Sequence, residues 1–192
     1  MELCLGLQFQ YAEGIYQALR VKSTSLMGFW AGHKRFWDTR ALVLPHPFLM
    51  AKYMVHMPPF HSAARLGDLG LLKPMVKLVA QAGSIDTPFH DRSALLYAME
   101  ARCVHCIQCL LDAGACANFN VHPMVRTPLR YAVEECSDVE IIKLLIDYDA
   151  EHALKTRFSS PMEYVLSRLS PCHDAEERRH FELILQYFEE TN

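Results

Sequence analysis

Cys103-Val104-His105-Cys106, with Cys109 and Cys116 close behind, is the densest cysteine cluster in the 192-residue chain. Two cysteines three positions apart put two thiolates within reach of one ion, and His105 adds an imidazole. Zinc is the chemistry this run could support. A tetrahedral site needs four ligands, and no second CxxC or HxxxH pair follows to supply them. The competing reading is that these cysteines pack as small hydrophobes. Elsewhere, ten histidines and Ser23-Thr24-Ser25 stand without a GxSxG, HExxH, Walker or GxGxxG pattern beside them. Neither an enzyme nor a bound cofactor is expected.

Which reading holds depends on the elements that carry these residues. Half the chain is apolar (51%) and its formal charge is −3, an ordinary globular composition with no reason to expect nucleic acid as a partner. The charge is uneven. Residues 1–57 hold six Lys/Arg against three Asp/Glu, and residues 58–192 hold 13 against 19, which points to two segments with different surroundings. MELCLGLQFQYAEG opens with an acid and lacks a basic start and a sustained apolar run, so no secretory leader is expected. ALVLPHPFLM is too short, and too broken by proline, to span a membrane. Seven irregularly spaced cysteines fit a reducing compartment, cytoplasm or nucleus, better than a disulfide framework.

A pattern recurs along the chain. PPFHSAARLGD starts at Pro58, SALLYAMEARC at Ser93, TPLRYAVEECS at Thr127 and SPMEYVLSRLS at Ser160, at intervals of 35, 34 and 33 residues. An apolar anchor follows two positions into each (Phe60, Leu95, Leu129, Met162), then a small or aliphatic residue (Ala63, Ala98, Ala132, Val165). Second helical patterns come next: MVKLVAQAG, VHCIQCLLDAG, VEIIKLLIDYD and RRHFELILQYF. A two-turn helix buries one face only, so each pair needs its neighbours to cover the rest. A small hydroxyl residue or a proline opens each first helix, the hydroxyl capping free N–H groups and the proline fixing φ in the first turn. Gly83 and Gly114 stand where a helix ends in a left-handed residue. The first unit has four extra residues between Gly67 and Gly83, placing Pro74 at the opening of its second helix; the third has one inserted residue, with Asp149 in place of the glycine.

These units resemble the ankyrin repeat, with Ser93 through Gly114 and Asn118 fitting its frame without a gap. The resemblance implies an all-α solenoid of about four helix-turn-helix repeats, near 57–90, 91–124, 125–157 and 158–192, with residues 1–56 as an N-terminal capping segment. In this frame Cys106 and Cys109 fall on buried positions of a second helix, Cys103 lies in the turn before it and His105 points outward. That leaves zinc binding or catalysis through Cys103 and Cys106 as the minor alternative. The family's function, protein recognition through the first-helix face, implies partner contacts. One repeat position carries Tyr97, Tyr131 and Tyr164; beside it lie Arg65, Glu100, Glu134 and Glu135, and the loop tips carry Phe89, Phe119 and Arg126. Tyrosine brings large contact area with few rotamers. The alternative is that these rings only pack between neighbouring first helices. Acidic residues in the middle favour a basic partner segment.

The N-terminal segment admits two readings. Phe9, Ala12, Tyr16 and Leu19 share one helical face and can cap the array. Alternatively, Leu44-Pro45-His46-Pro47 followed by Met50 and Tyr53, with Leu26 upstream, resembles a SOCS box. That resemblance implies docking to elongin B/C and a cullin, which would make the chain the substrate-recognition subunit of a ubiquitin ligase. The leading expectation is an adaptor, inhibitor or scaffold that binds a protein partner.

Overall fold

The computed structural model describes residues 57–119, 126–136, 138–154, 159–171 and 174–190. The capping segment 1–56 and the ligase-docking residues Leu26, Leu44, Pro45, Pro47, Met50 and Tyr53 lie outside the described residues. Among the described residues eight α-helices follow one another: α1 Pro59–Leu66, α2 Leu69–Gln81, α3 Ala94–Glu100, α4 Val104–Asp112, α5 Pro128–Tyr131, α6 Val139–Asp147, α7 Pro161–Leu169 and α8 Ala175–Glu190. Among the described residues the only β pairing is a single bridge between Phe89 and Arg92. No described helix is long and apolar enough to cross a membrane.

The first helices begin where the sequence places their caps. The Ser93 hydroxyl accepts from the Leu96 N–H at 3.4 Å and the Thr127 hydroxyl from the Arg130 N–H at 3.2 Å. Ser160 and Glu163 form a reciprocal capping box, each side chain accepting from the other's backbone N–H at 3.1 Å. Pro128 and Pro161 occupy the first helical positions, where a missing N–H costs little. The left-handed ends also fall as expected, with Gly83 at φ 66° and Gly114 at φ 91°; Asp149 takes the same conformation at φ 61° without the glycine.

Pro74 is a correction. It does not open the second helix of the first pair but lies inside α2, which starts at Leu69. Asp68 sets that start, its carboxylate accepting from the Gly70 and Leu71 N–H groups at 3.0 and 3.2 Å. The four extra residues of this repeat therefore lengthen α2 to 13 residues, against nine for α4. The one-residue insertion in the third repeat is absorbed differently. N-cap Ser93 and N-cap Cys103 are ten residues apart, whereas Thr127 and Asp138 are eleven apart. The surplus residue widens the end of α5 into a π-helical turn, Ala132–Cys136.

The chain divides into two compact units, Met1–Ala115 and Cys116–Asn192. In the first, α1 packs on α2 and α3 on α4, while α1 also lies beside α3 and α2 beside α4. First helix therefore meets first helix, and second meets second, in chain order. Phe60, Leu71, Leu72, Met75, Leu95 and Met99 fill this core, each less than 2% exposed. In the second unit α5 and its π-helical turn pack on α6, α7 packs on α8, and α6 reaches α8. Asn118 clips the end of α6, donating to the Asp149 carbonyl and accepting from the Glu151 N–H, both at 2.8 Å. Ala63, Ala98, Ala132 and Val165, the small positions of the four repeats, are all fully buried, as close helix approach requires.

Candidate functional site

Cys103 is the N-cap of α4, Cys106 is fully buried, Cys109 is half-buried and His105 is half-buried. Among the described residues no group of three or more His, Cys, Asp or Glu side chains is placed to hold a metal ion. Burial pushes the Cys106 thiol pKa up, with the hydrogen bond to Cys103 adding to it, and burial raises Cys109 too. Both groups are thereby held as thiols.

In the first unit the candidate contacts separate into packed and exposed members. Tyr97 is 5% exposed. Its hydroxyl donates to the Phe89 carbonyl at 3.1 Å, and its ring meets His61 edge-on at 5.8 Å. The ring is packing inside the unit and not a free contact surface. Burial raises its phenol pKa, against the lowering influence of Arg92 and Arg65. His61, fully buried, donates from Nε2 to the Thr87 carbonyl at 2.9 Å. Desolvation lowers its pKa from 6.5 to about 4, so the ring stays neutral. Phe89 is half-buried at the base of a two-residue hairpin. His90 and Asp91 both take positive φ (49° and 60°), and Phe89 and Arg92 exchange backbone hydrogen bonds at 2.9 and 3.2 Å. Glu100 is ion-paired with Arg92, while Arg65 stands exposed in the last turn of α1.

The second unit holds a polar network centred on a residue that sequence reasoning passed over. Arg130 is 6% exposed, yet its guanidinium is fully engaged. Nε donates to the Glu134 carboxylate at 2.6 Å. One terminal nitrogen donates to the Ser159 carbonyl (3.0 Å), the Ser159 hydroxyl (2.8 Å) and the Ser160 carbonyl (3.1 Å). The other nitrogen closes the ion pair with Glu134. The same group lies 4.1 Å over the Tyr164 ring, a cation–π contact that joins α5 to α7. A planar five-donor fork suits this task in a way an ammonium cannot. A sequence signal existed: Arg130 stands where the other repeats carry His61, Leu96 and Glu163, and a buried charge there demands partners.

Four of the expected contacts, Glu134, Glu135, Arg126 and Tyr164, join the Arg130 network directly or through its ion pairs. Arg126, 40% exposed, reaches Glu134 at 2.6 Å and Glu135 at 2.7 Å. Both carboxylates belong to the π-helical turn. Glu134 is largely buried and Glu135 is 51% exposed. Tyr164 and Tyr131 are half-buried, as is Phe119 where the described segment 57–119 ends. The extra residue of the third repeat thus places two carboxylates side by side under one half-exposed arginine.

Comparison with protein families matches residues 60–156 to ankyrin repeats in three copies. Comparison with curated proteins gives no match. The pair α7–α8 continues the helical pattern beyond the matched residues.

Proposed function

The chain belongs to the ankyrin-repeat family, whose arrays are protein–protein interaction modules, and on that premise we propose that its second unit grips a basic segment of a protein partner. The observation that carries this reading is the Glu134–Glu135 pair. It is held on its inner side by buried Arg130 and paired on its outer side with half-exposed Arg126, which a cationic segment would displace from Glu135, itself 51% exposed. Charge supports it, since residues 116–192 carry 8 Lys/Arg against 14 Asp/Glu while residues 58–115 carry five of each. A negative field of this kind steers a cationic segment and fixes its register. Tyr131 and Tyr164 would be the aromatic anchors beside it, and Arg126 and Phe119 its edge. In the first unit, Arg65, Glu100 and the Phe89 tip would supply contacts of their own. The role that fits is an adaptor, inhibitor or scaffold.

Affinity capture with quantitative mass spectrometry tests this, using wild type and Glu135→Lys in parallel at low and high salt. Glu135 is exposed, so the charge reversal should leave the melting temperature within ordinary surface-substitution limits. The expected result is a partner with a Lys/Arg-rich segment whose recovery falls about tenfold with Glu135→Lys and declines as salt rises. Equal recovery by both proteins at every salt concentration would remove the basic-segment reading.

A further inference from the structure

Partner recognition leaves one chemically capable pair unused. Cys103 is the N-cap of α4 and Cys106 lies one turn in, its backbone N–H donating to the Cys103 carbonyl at 3.0 Å. Residues so placed have Cα atoms about 5–6 Å apart, within the span a disulfide bridges. Both thiols are free and stand within hydrogen-bond reach of each other. Cys103 makes no side-chain cap bond, so its sulfur is not committed to the helix end. It is half-buried whereas Cys106 is fully buried, and a dissolved reagent therefore meets Cys103 first. The close approach of α1 holds the turn in place: a Cβ on Gly67 would stand 3.3 Å from the Cys103 Cβ.

We propose that Cys103 and Cys106 form a thiol–disulfide exchange site whose substrate is a small-molecule disulfide of the glutathione class. In the first step the Cys103 thiolate attacks one sulfur of the oxidant. The Cys103–glutathione bond forms, the oxidant's S–S bond breaks, and the released glutathione thiolate takes up the proton Cys103 gave up. In the second step the Cys106 sulfur attacks the Cys103 sulfur. The mixed disulfide breaks as the Cys103–Cys106 bond forms, and the second glutathione leaves with the Cys106 proton. Two protein thiols are oxidised and one disulfide is reduced to two thiols. Burial keeps Cys106 protonated until this second step, so ring closure is slower than exchange at an exposed thiol.

The test equilibrates native protein with mixtures of oxidised and reduced glutathione, quenches in acid, alkylates the remaining thiols and maps them by mass spectrometry. Circular dichroism before the quench confirms that the helices persist. The expected product carries a Cys103–Cys106 link, is two hydrogens lighter than the reduced chain, and reverts as the reduced glutathione fraction rises. Cys103→Ser should abolish the link, and Cys106→Ala should stop at the Cys103–glutathione adduct. The proposal is overturned if wild type stops at that adduct, links Cys106 to Cys109, leaves both thiols free for alkylation, or forms the link only where the helical signal is lost.

Discussion

Arg130 shows how a single buried charge can tie two repeats together. Its guanidinium satisfies the Ser159 and Ser160 carbonyls at the entry to α7, neutralises Glu134 on the π-helical turn and covers the Tyr164 ring. Removing one member of such a set strands the others without partners. Arg130→Ala should destabilise the second unit by about 3–5 kcal/mol in denaturant unfolding, and Arg130→Lys should recover only part of that because one ammonium cannot serve all these acceptors. His61 makes a different kind of prediction. The unfolded ring titrates at 6.5 and the native one at about 4, so between those values the unfolded chain takes up a proton that the folded chain refuses. The stability His61 contributes is complete above pH 6.5 and is lost as pH falls toward 4, a total of order 3 kcal/mol. Unfolding of wild type and His61→Leu from neutral pH into mild acid isolates the term, since the variant should lose stability less steeply over that window.

Helix by helix, the turns decide how closely neighbouring repeats approach. Gly67 ends α1 at φ 65°, and a Cβ there would lie 3.2 Å from the Ala101 Cβ and 3.3 Å from that of Cys103, neither of which can swing aside. Gly83 has nearly the same φ, 66°, but open space around it. Gly83→Ala should cost about 1 kcal/mol from backbone strain alone, and Gly67→Ala about 2–3 kcal/mol because the clash adds to it. Comparing the two melting curves therefore measures the contact between successive repeats. These elements were legible in the sequence because their signals are local: a hydroxyl before a proline, a small residue three positions beyond the apolar anchor, a glycine at the helix end. Pro74 misled for the same reason, since a proline can open a helix or sit inside one, and the cap at Asp68 decided between them. Burial was less legible. Tyr97, Tyr131 and Tyr164 share a repeat position but not their neighbours. His61 and the Phe89 hairpin close over Tyr97, while Arg130 covers one face of Tyr164 and leaves it half exposed. Arg130 itself was missed because its partners, Ser159 and Ser160, lie a full repeat away in sequence.

Across the whole chain, the repeats provide shape and the second unit provides charge. The 14 acidic residues after Ala115 outnumber the basic ones by six, whereas the repeats before it are balanced. Binding energy in such modules concentrates in a few anchors and not in the full surface, so the partner should shield a compact set of amides. The most direct measurement is backbone hydrogen exchange of the intact chain, free and saturated with its captured partner. Recognition through the Glu134–Glu135 face predicts slowed exchange across residues 126–136 and α7, Pro161–Leu169, with α6 and α8 little changed. Slowed exchange confined to α6, α8 or the first unit would contradict it.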